Sequence, residues 1–235
     1  MHINADEIIQ KSKDVFLADT ETSNRYFNSP CVSEIEYNAI HKDFLTPLNI
    51  TFSPSDIFNY VMTYRQFFQR WGETDQERYG IALVNKDGKL RYNDPVNMSL
   101  QEWNIKNPQN KILEIDCTVK TELLSSICFQ PFNIFHDHWC RSNVLIWKKD
   151  AHFLPHIDAI KPTPWLRLWG CTGKNVSLRY EVDNELVEVK GIDPGRLYLI
   201  DTTRVHDARN LNDTSMQLFL SVLPSAYNII KSSLL

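Results

Sequence analysis

The pattern of apolar and polar residues predicts a long amphipathic helix in the first third of the chain. Apolar residues recur at helix-like spacing from Ile57 to Trp71, after Ser53-Pro54-Ser55-Asp56 and before Gly72. Ser before the first apolar residue, with Pro at the first helical position, is typical of a helix start, and Gly is typical of an end. We therefore expect a helix over residues 54–71 that packs its apolar face against a sheet.

From about residue 80 the pattern becomes that of short strands. Segments 80–84 and 90–92 flank Asn85-Lys86-Asp87-Gly88, whose Asp-Gly pair predicts a hairpin. Turn sequences such as Asp183-Asn184 and Asp193-Pro194-Gly195 separate some of the later strands. The strands predicted in the second half are 143–147, 153–158, 165–171, 176–182, 185–189, 196–200 and 216–222. Many short strands separated by turns favour a mainly β fold with flanking helices, and we expect a jelly roll.

Length and composition indicate a globular domain with a substantial core. The chain has 235 residues, 43% of them hydrophobic and 23% charged, so one domain over 1–235 is expected. A helical or mixed N-terminal part, about 1–110, would pack on a β-barrel core of about 111–225. No apolar stretch approaches the roughly 20 residues of a spanning helix, which predicts no membrane partner.

The N-terminus and the cysteines favour a cytoplasmic protein with reduced thiols. The first residues lack a basic segment followed by an apolar run, as a secretory signal would require. The five cysteines are scattered, odd in number and include no C-x-x-C pair. A net charge of −4 without a basic run disfavours nucleic acid as a partner, since such binding depends on neutralising phosphates.

The candidate reactive centre is His156-Ile157-Asp158, followed 50 positions later by His206. In an extended strand residues 156 and 158 project to the same side, so both can reach one metal ion. Pro155 favours an extended conformation before it. Two imidazoles and one carboxylate on one side of a metal leave the other side open, which is typical of non-haem Fe(II) oxygenases.

Three stretches of the chain together resemble a known family. Residues 141–158, 167–169 and 201–210 resemble the Fe(II)/2-oxoglutarate-dependent oxygenases of the aspartyl/asparaginyl β-hydroxylase type, a group that includes free proline hydroxylases. The resemblance covers about residues 141–223. It implies a double-stranded β-helix (jelly roll, cupin-like) in which His156, Asp158 and His206 hold Fe(II). It also implies 2-oxoglutarate as cosubstrate, O2 as oxidant, and hydroxylation of an amino acid or of a residue in a peptide, with release of succinate and CO2.

The same resemblance points to the residues that bind the cosubstrate. Arg167 lies eleven positions after His156, where the family places a carboxylate-binding basic residue, and strand alternation puts it on one face with Trp165 and Trp169. A guanidinium suits a carboxylate because its planar fork offers paired donors. We expect Arg167 and Trp169 to contribute to cosubstrate binding.

The chain departs from the family about ten residues after His206. A second arginine is usual there, but this sequence has Met216 and Gln217. Either Arg167 alone supplies the positive charge that binds the cosubstrate carboxylate, with Gln217 as a neutral donor, or another arginine replaces the missing one. The candidates are Arg209, which is our first choice, Arg204 and Arg179.

Two other sets of histidines compete with the triad. His152 and His156 have the i, i+4 spacing of some zinc enzymes, but Pro155 opposes a helix and the required Glu is missing. His136 and His138 are expected to be polar residues of a loop or of the barrel rim, with substrate contact as the alternative. A metal-binding cupin-like domain that is inactive or does not use 2-oxoglutarate also stays open, because of the missing second arginine.

Overall fold

The computed structural model describes residues 2–16, 19–71, 77–211 and 213–235. The helices are α1 (Ala5–Phe16), α2 (Thr20–Asn28), α3 (Glu34–Ile40), α4 (Pro54–Met62), α5 (Leu100–Lys106) and α6 (Tyr227–Ser233). The strands are β1 (Leu45–Thr51), β2 (Gln69–Arg70), β3 (Arg78–Asn85), β4 (Val119–Lys120), β5 (Trp139–Trp147), β6 (His152–His156), β7 (Leu166–Cys171), β8 (Val176–Val182), β9 (Glu185–Glu188), β10 (Arg196–Ile200), β11 (His206–Asn210) and β12 (Ser215–Val222). None of the described helices is long and apolar enough to cross a membrane.

The strands form two antiparallel sheets whose order is that of a double-stranded β-helix. The larger sheet has the order β1-β10-β7-β12-β5-β3-β2, with β4 paired to β3, and the smaller has the order β6-β11-β8-β9. From β5 to β12 the chain alternates between the two sheets. The four strands β10-β7-β12-β5 of the larger sheet therefore face the four strands β6-β11-β8-β9 of the smaller one. This arrangement is a jelly roll with additional strands on both edges of the larger sheet, as the strand pattern predicts.

Strand alternation gives each side of the larger sheet its own core. On β7, Leu166 and Leu168 face outward, into an apolar layer that includes Ile57 and Val61 of α4. The intervening residues Arg167 and Trp169 face the space between the sheets. Burying an apolar side chain of this size contributes about 1.5–3 kcal/mol relative to leaving it exposed, so the outer layer fixes which face of β7 points inward.

The helix predicted to reach residue 71 is shorter in the structure. Ser53 caps α4 by accepting a hydrogen bond from the Asp56 amide, as expected, but α4 ends at Met62. The chain then enters a 3-10 turn, and β2 pairs with β3 through Gln69 and Gly80. The apolar pattern continues beyond the helix because Phe68 packs into the same core.

The predicted hairpin across Asn85–Gly88 is wrong in its second strand. Gly88 adopts the positive φ of +76° that a turn requires, but 90–92 forms no strand. The Asn85 side chain stabilises a compact turn instead, because its Oδ1 accepts a hydrogen bond from the Gly88 amide and its Nδ2 donates one to Asp94. As a result, β3 pairs with β4 and β5 instead.

The strands that flank the candidate centre also differ from the predicted bounds. β6 stops at His156, so Asp158 follows the strand instead of lying within it. β11 was not predicted, because its sequence His-Asp-Ala-Arg-Asn lacks apolar alternation. It nevertheless occupies the centre of the smaller sheet, between β6 and β8.

Candidate metal centre

His156, Asp158 and His206 come together at one end of the smaller sheet. His156 and His206 are paired across β6 and β11, which places their rings 4.6 Å apart. Asp158 lies just beyond β6, where its amide donates to the Thr202 carbonyl oxygen at 2.9 Å. Its carboxylate oxygens are 3.3 Å from His156 Nε2 and 3.6 Å from His206 Nε2.

Both imidazoles are oriented by their own backbone. His156 Nδ1 lies 2.7 Å from the Leu154 carbonyl oxygen, and His206 Nδ1 lies 2.9 Å from that of Arg204. A carbonyl accepts only, so each Nδ1 carries the proton and donates. This leaves the two Nε2 atoms facing Asp158, and an imidazole that keeps its proton on Nδ1 can offer Nε2 to a metal ion.

The electrostatics of the triad favour a cation between the three groups. Burial alone would lower the pKa of His156, but the charge and hydrogen bond of Asp158 outweigh it and raise the pKa. Burial would likewise raise the pKa of Asp158, but the two histidines hold it well below its usual range. The carboxylate therefore stays ionised and attracts a positive charge.

The geometry of these three donors fits a single metal ion. One ligand atom from each residue lies within 4.8 Å of the others, close to the limit of about 4.4 Å for atoms that each sit about 2.0–2.2 Å from a common ion. It is the only such group of His, Cys, Asp or Glu among the described residues. A nitrogen–nitrogen–oxygen set with an open side is suited to a redox-active divalent metal such as Fe(II).

Ile157 anchors the chain between two of the ligands, His156 at the end of β6 and Asp158 just beyond it. It belongs to a small apolar cluster with Ile3, Ala5, Leu186 and Val205. Apolar contacts with the N-terminal segment and with the smaller sheet thus hold the residue between His156 and Asp158 in place.

The open side of the triad faces a cavity of about 730 Å³ between the two sheets. Its size lies in the range of small-molecule sites. The wall is largely aromatic and aliphatic, with residues of α1 and α5 at its edge; Trp71, Phe153, Trp169, Ile200 and Phe219 are among its lining residues.

Arg167 lies in this cavity, but its charge is already matched by an acid. It donates to Glu114 Oε1 at 3.1 Å and to Ser221 Oγ at 2.5 Å. Arg141 donates to the same Glu114 oxygen at 2.8 Å. Burial would lower the pKa of Arg167, but Glu114 and Asp158 raise it, so the guanidinium stays charged. The Nε atoms of Arg141 and Arg167 have no partner among the described residues.

Trp169 and Gln217 are joined inside the barrel. Trp169 lines the cavity and donates its Nε1–H to Gln217 Oε1 at 3.1 Å. Gln217 is fully buried, and its Nε2 has no partner within the described part of the chain. A neutral donor is therefore present on the strand where the family has an arginine.

The substitute arginines do not point into the cavity. Alternation along β11 turns His206 and Ala208 inward and leaves Arg209, our first choice as a substitute cosubstrate ligand, exposed on the opposite face and outside the cavity lining. Arg179 pairs with Asp207 on that outer face, its Nε 2.9 Å from Oδ1. Arg204 stacks over Tyr180 and donates to a backbone carbonyl.

The competing histidines lie apart from the triad. His152 is on β6, with its Nδ1 3.1 Å from the Asp150 carbonyl oxygen. His136 contacts the neighbouring Asp137, and His138 contacts Ser225 at 2.8 Å. None of these three lines the cavity.

Sequence reasoning missed several polar residues that line the cavity and precede the triad in the chain. Among them are Arg78, Glu114, Arg141 and Asn143. The signal for Arg141 and Asn143 was the alternation of β5, in which they share a face with Leu145. Glu114 follows no strand pattern, and its partners are 27 and 53 positions away.

No family model matches the chain, and no curated protein is similar to it in sequence. Among solved structures it is similar to a prolyl hydroxylase in complex with a hypoxia inducible factor peptide from Trichoplax adhaerens, at 12% identity, over 83% of this chain and 90% of that one, with a TM-score of 0.45. It is also similar to a Pseudomonas putida prolyl-4-hydroxylase, at 10% identity, over 80% and 96%, with a TM-score of 0.42. An oxalate oxidase in complex with glycolate matches at 14% identity over 35% of this chain and 41% of that one, with a TM-score of 0.28. These are likenesses of fold, and none of them assigns an activity to this chain.

Proposed function

We propose that this protein, as one domain over 1–235, is a non-haem Fe(II)- and 2-oxoglutarate-dependent dioxygenase. It hydroxylates a C–H bond of an amino acid, or of a residue in a peptide, with release of succinate and CO2. The observation that carries the proposal is the triad of His156, Asp158 and His206, which directs three donor atoms at one point on the wall of a cavity large enough for two small molecules.

The chain's own residues hold and shield the reacting groups. His156, Asp158 and His206 would bind Fe(II), which supplies oxidising power from O2 when 2-oxoglutarate is bound beside it. Arg167 projects from β7 toward this site and has a free Nε–H for a ligand oxygen. The aromatic wall that includes Phe153 and Trp169 excludes water, which strengthens each electrostatic contact within the cavity.

One feature favours a second candidate, a metal-binding domain of the same fold that does not use 2-oxoglutarate. Glu114 neutralises Arg167 and Arg141 together. These two arginines therefore offer the cavity less net positive charge than their number suggests. The two candidates differ in whether 2-oxoglutarate changes the bound metal.

The test is an anaerobic titration of metal-free protein with Fe(II), followed by 2-oxoglutarate. We expect a weak visible absorption band from the chelate and the formation of succinate on admission of air. His206→Ala should abolish both signals because it deletes one of three ligands, whereas His152→Ala should retain them. Metal binding without any response to 2-oxoglutarate would refute the dioxygenase and leave the second candidate. Loss of metal binding in His152→Ala but not in His206→Ala would refute the assignment of the triad.

A further inference from the structure

Arg78 is a buried guanidinium that lacks the partners found at the other cavity arginines. It begins β3 and lines the cavity, and only 5% of the residue is exposed. Its Nε and Nη1 have no hydrogen-bond partner among the described residues. Buried polar groups are normally paired, so two unpaired donors on one charged side chain indicate a missing acceptor.

The surroundings of Arg78 are aromatic instead of acidic. Its guanidinium carbon lies 3.9 Å from the centre of the Phe153 ring and 5.9 Å from that of Trp147. Burial lowers the pKa of Arg78 to about 10, and the charge of Glu102 opposes this only in part. Even so, the side chain stays protonated at neutral pH. Of the three cavity arginines, Arg78 is the one that forms no ion pair within the part of the chain described, whereas Arg141 and Arg167 both pair with Glu114.

The position of Arg78 relative to the triad is defined by one aromatic ring. The Phe153 and His156 ring centres are 5.6 Å apart. The guanidinium carbon therefore lies no more than 9.5 Å from the centre of the His156 ring, which is the sum of the two ring distances. A five-carbon dicarboxylate that chelates the metal at one end can span this separation.

The neighbouring strands bring a second free donor to the same end of the larger sheet. Gly80, two residues after Arg78, and Gln217 of β12 are both paired with Leu145, from opposite sides. The unpartnered Nε2 of Gln217 thus belongs to the same end of the sheet as Arg78. This strand position is the one where the sequence lacks the second arginine of the family it resembles.

We propose that Arg78 anchors the distal carboxylate of 2-oxoglutarate, so that an arginine from an added strand of the larger sheet supplies the charge that Met216 and Gln217 lack. The proposal rests on the proposed dioxygenase function. It makes Arg78 the residue that selects a dicarboxylate over a monocarboxylate 2-oxo acid, because paired guanidinium donors match a carboxylate and leave a methyl group unrecognised.

The test compares two probes that differ only at the distal carbon. Calorimetric titrations of Mn(II)-loaded protein would measure the affinities for 2-oxoglutarate and for 2-oxopentanoate, which has a methyl group in place of the distal carboxylate. The variants are Arg78→Met, which keeps an unbranched apolar side chain without the charge, Arg78→Lys, which keeps the charge, and Arg209→Met as the matched control from the exposed face.

We expect wild type and Arg209→Met to prefer 2-oxoglutarate by roughly 10- to 100-fold, the usual effect of hydrogen bonds to a charged group. Arg78→Met should bind the two probes within about twofold of each other, and Arg78→Lys should recover part of the preference. Arg78→Met without ligand should melt no lower than wild type, because it removes an unpaired buried charge; that result excludes misfolding as the cause.

Two outcomes would overturn the proposal, and they are distinguishable from each other. If Arg78→Met keeps the full preference for 2-oxoglutarate, another residue binds the distal carboxylate while the dioxygenase function stands. If wild type with bound Mn(II) binds neither probe, the dioxygenase function fails and the role of Arg78 fails with it.

Discussion

Glu114→Gln should destabilise the protein severely, because Glu114 forms ion pairs with two buried arginines. Its carboxylate is 12% exposed and accepts from two guanidinium groups that are each 6% exposed, at 2.8 and 3.1 Å. Glutamine has nearly the same shape but no charge. Removing one partner of a buried ion pair costs about 3–5 kcal/mol, since the remaining charge stays buried. For a chain of this length that free energy lowers the melting temperature by roughly 6–20 °C.

Urea unfolding and calorimetry of wild type and Glu114→Gln would measure this loss. The matched control is Glu122→Gln, which makes the same chemical change at an exposed position and should stay within about 0.5 kcal/mol of wild type. A loss below about 1 kcal/mol for Glu114→Gln would refute the reasoning, because it would mean that water already solvates Arg141 and Arg167.

Two further predictions concern the metal ligands and the sheet. Because the pKa of His156 is raised in the folded protein, its protonation stabilises the metal-free protein below pH 6.5, the ordinary pKa of histidine, and this stabilisation is lost as the pH rises through the raised pKa. The affinity for Mn(II) should rise over the same pH range because the metal replaces the proton. Calorimetry from pH 5.5 to 8 would measure this affinity, and a flat profile would contradict the prediction. Asp158, with its lowered pKa, stays ionised throughout. Gly80→Ala would place a Cβ 2.5 Å from a backbone carbonyl oxygen and 2.9 Å from an indole ring, so calorimetry should show a loss of about 1–3 kcal/mol, and an unchanged melting temperature would disprove the close approach.

The sequence predicted those parts of the site that depend on local periodicity. The same-face placement of Arg167 and Trp169 follows from alternation on a strand whose other face is apolar. The proximity of His156 and Asp158 also followed from local chain geometry, although the strand ends between them. β11 escaped prediction because its inward positions carry His206 and Asn210 instead of apolar side chains.

The remaining polar groups could not be predicted because they depend on contacts distant in sequence. Arg78 and Glu114 reach the cavity through strand pairing and a 3-10 turn, which no local pattern specifies. The exposed position of Arg209 could not be predicted for a related reason. Nearness in sequence to His206 says nothing about the face of the strand, and an odd separation along β11 turns a side chain away from the metal.

The apolar cluster behind Ile157 couples the metal centre to the beginning of the chain. Ile3 belongs to the same apolar cluster as Ile157 and also borders the cavity, so the N-terminal segment and the segment that carries Asp158 share one layer of apolar contacts. Linkage between two sites is reciprocal. If a bound metal stabilises the packed position of the N-terminal segment, then holding that segment in place strengthens metal binding by the same free energy. A substrate that contacts α1 would therefore increase the retention of the metal without touching any of its ligands.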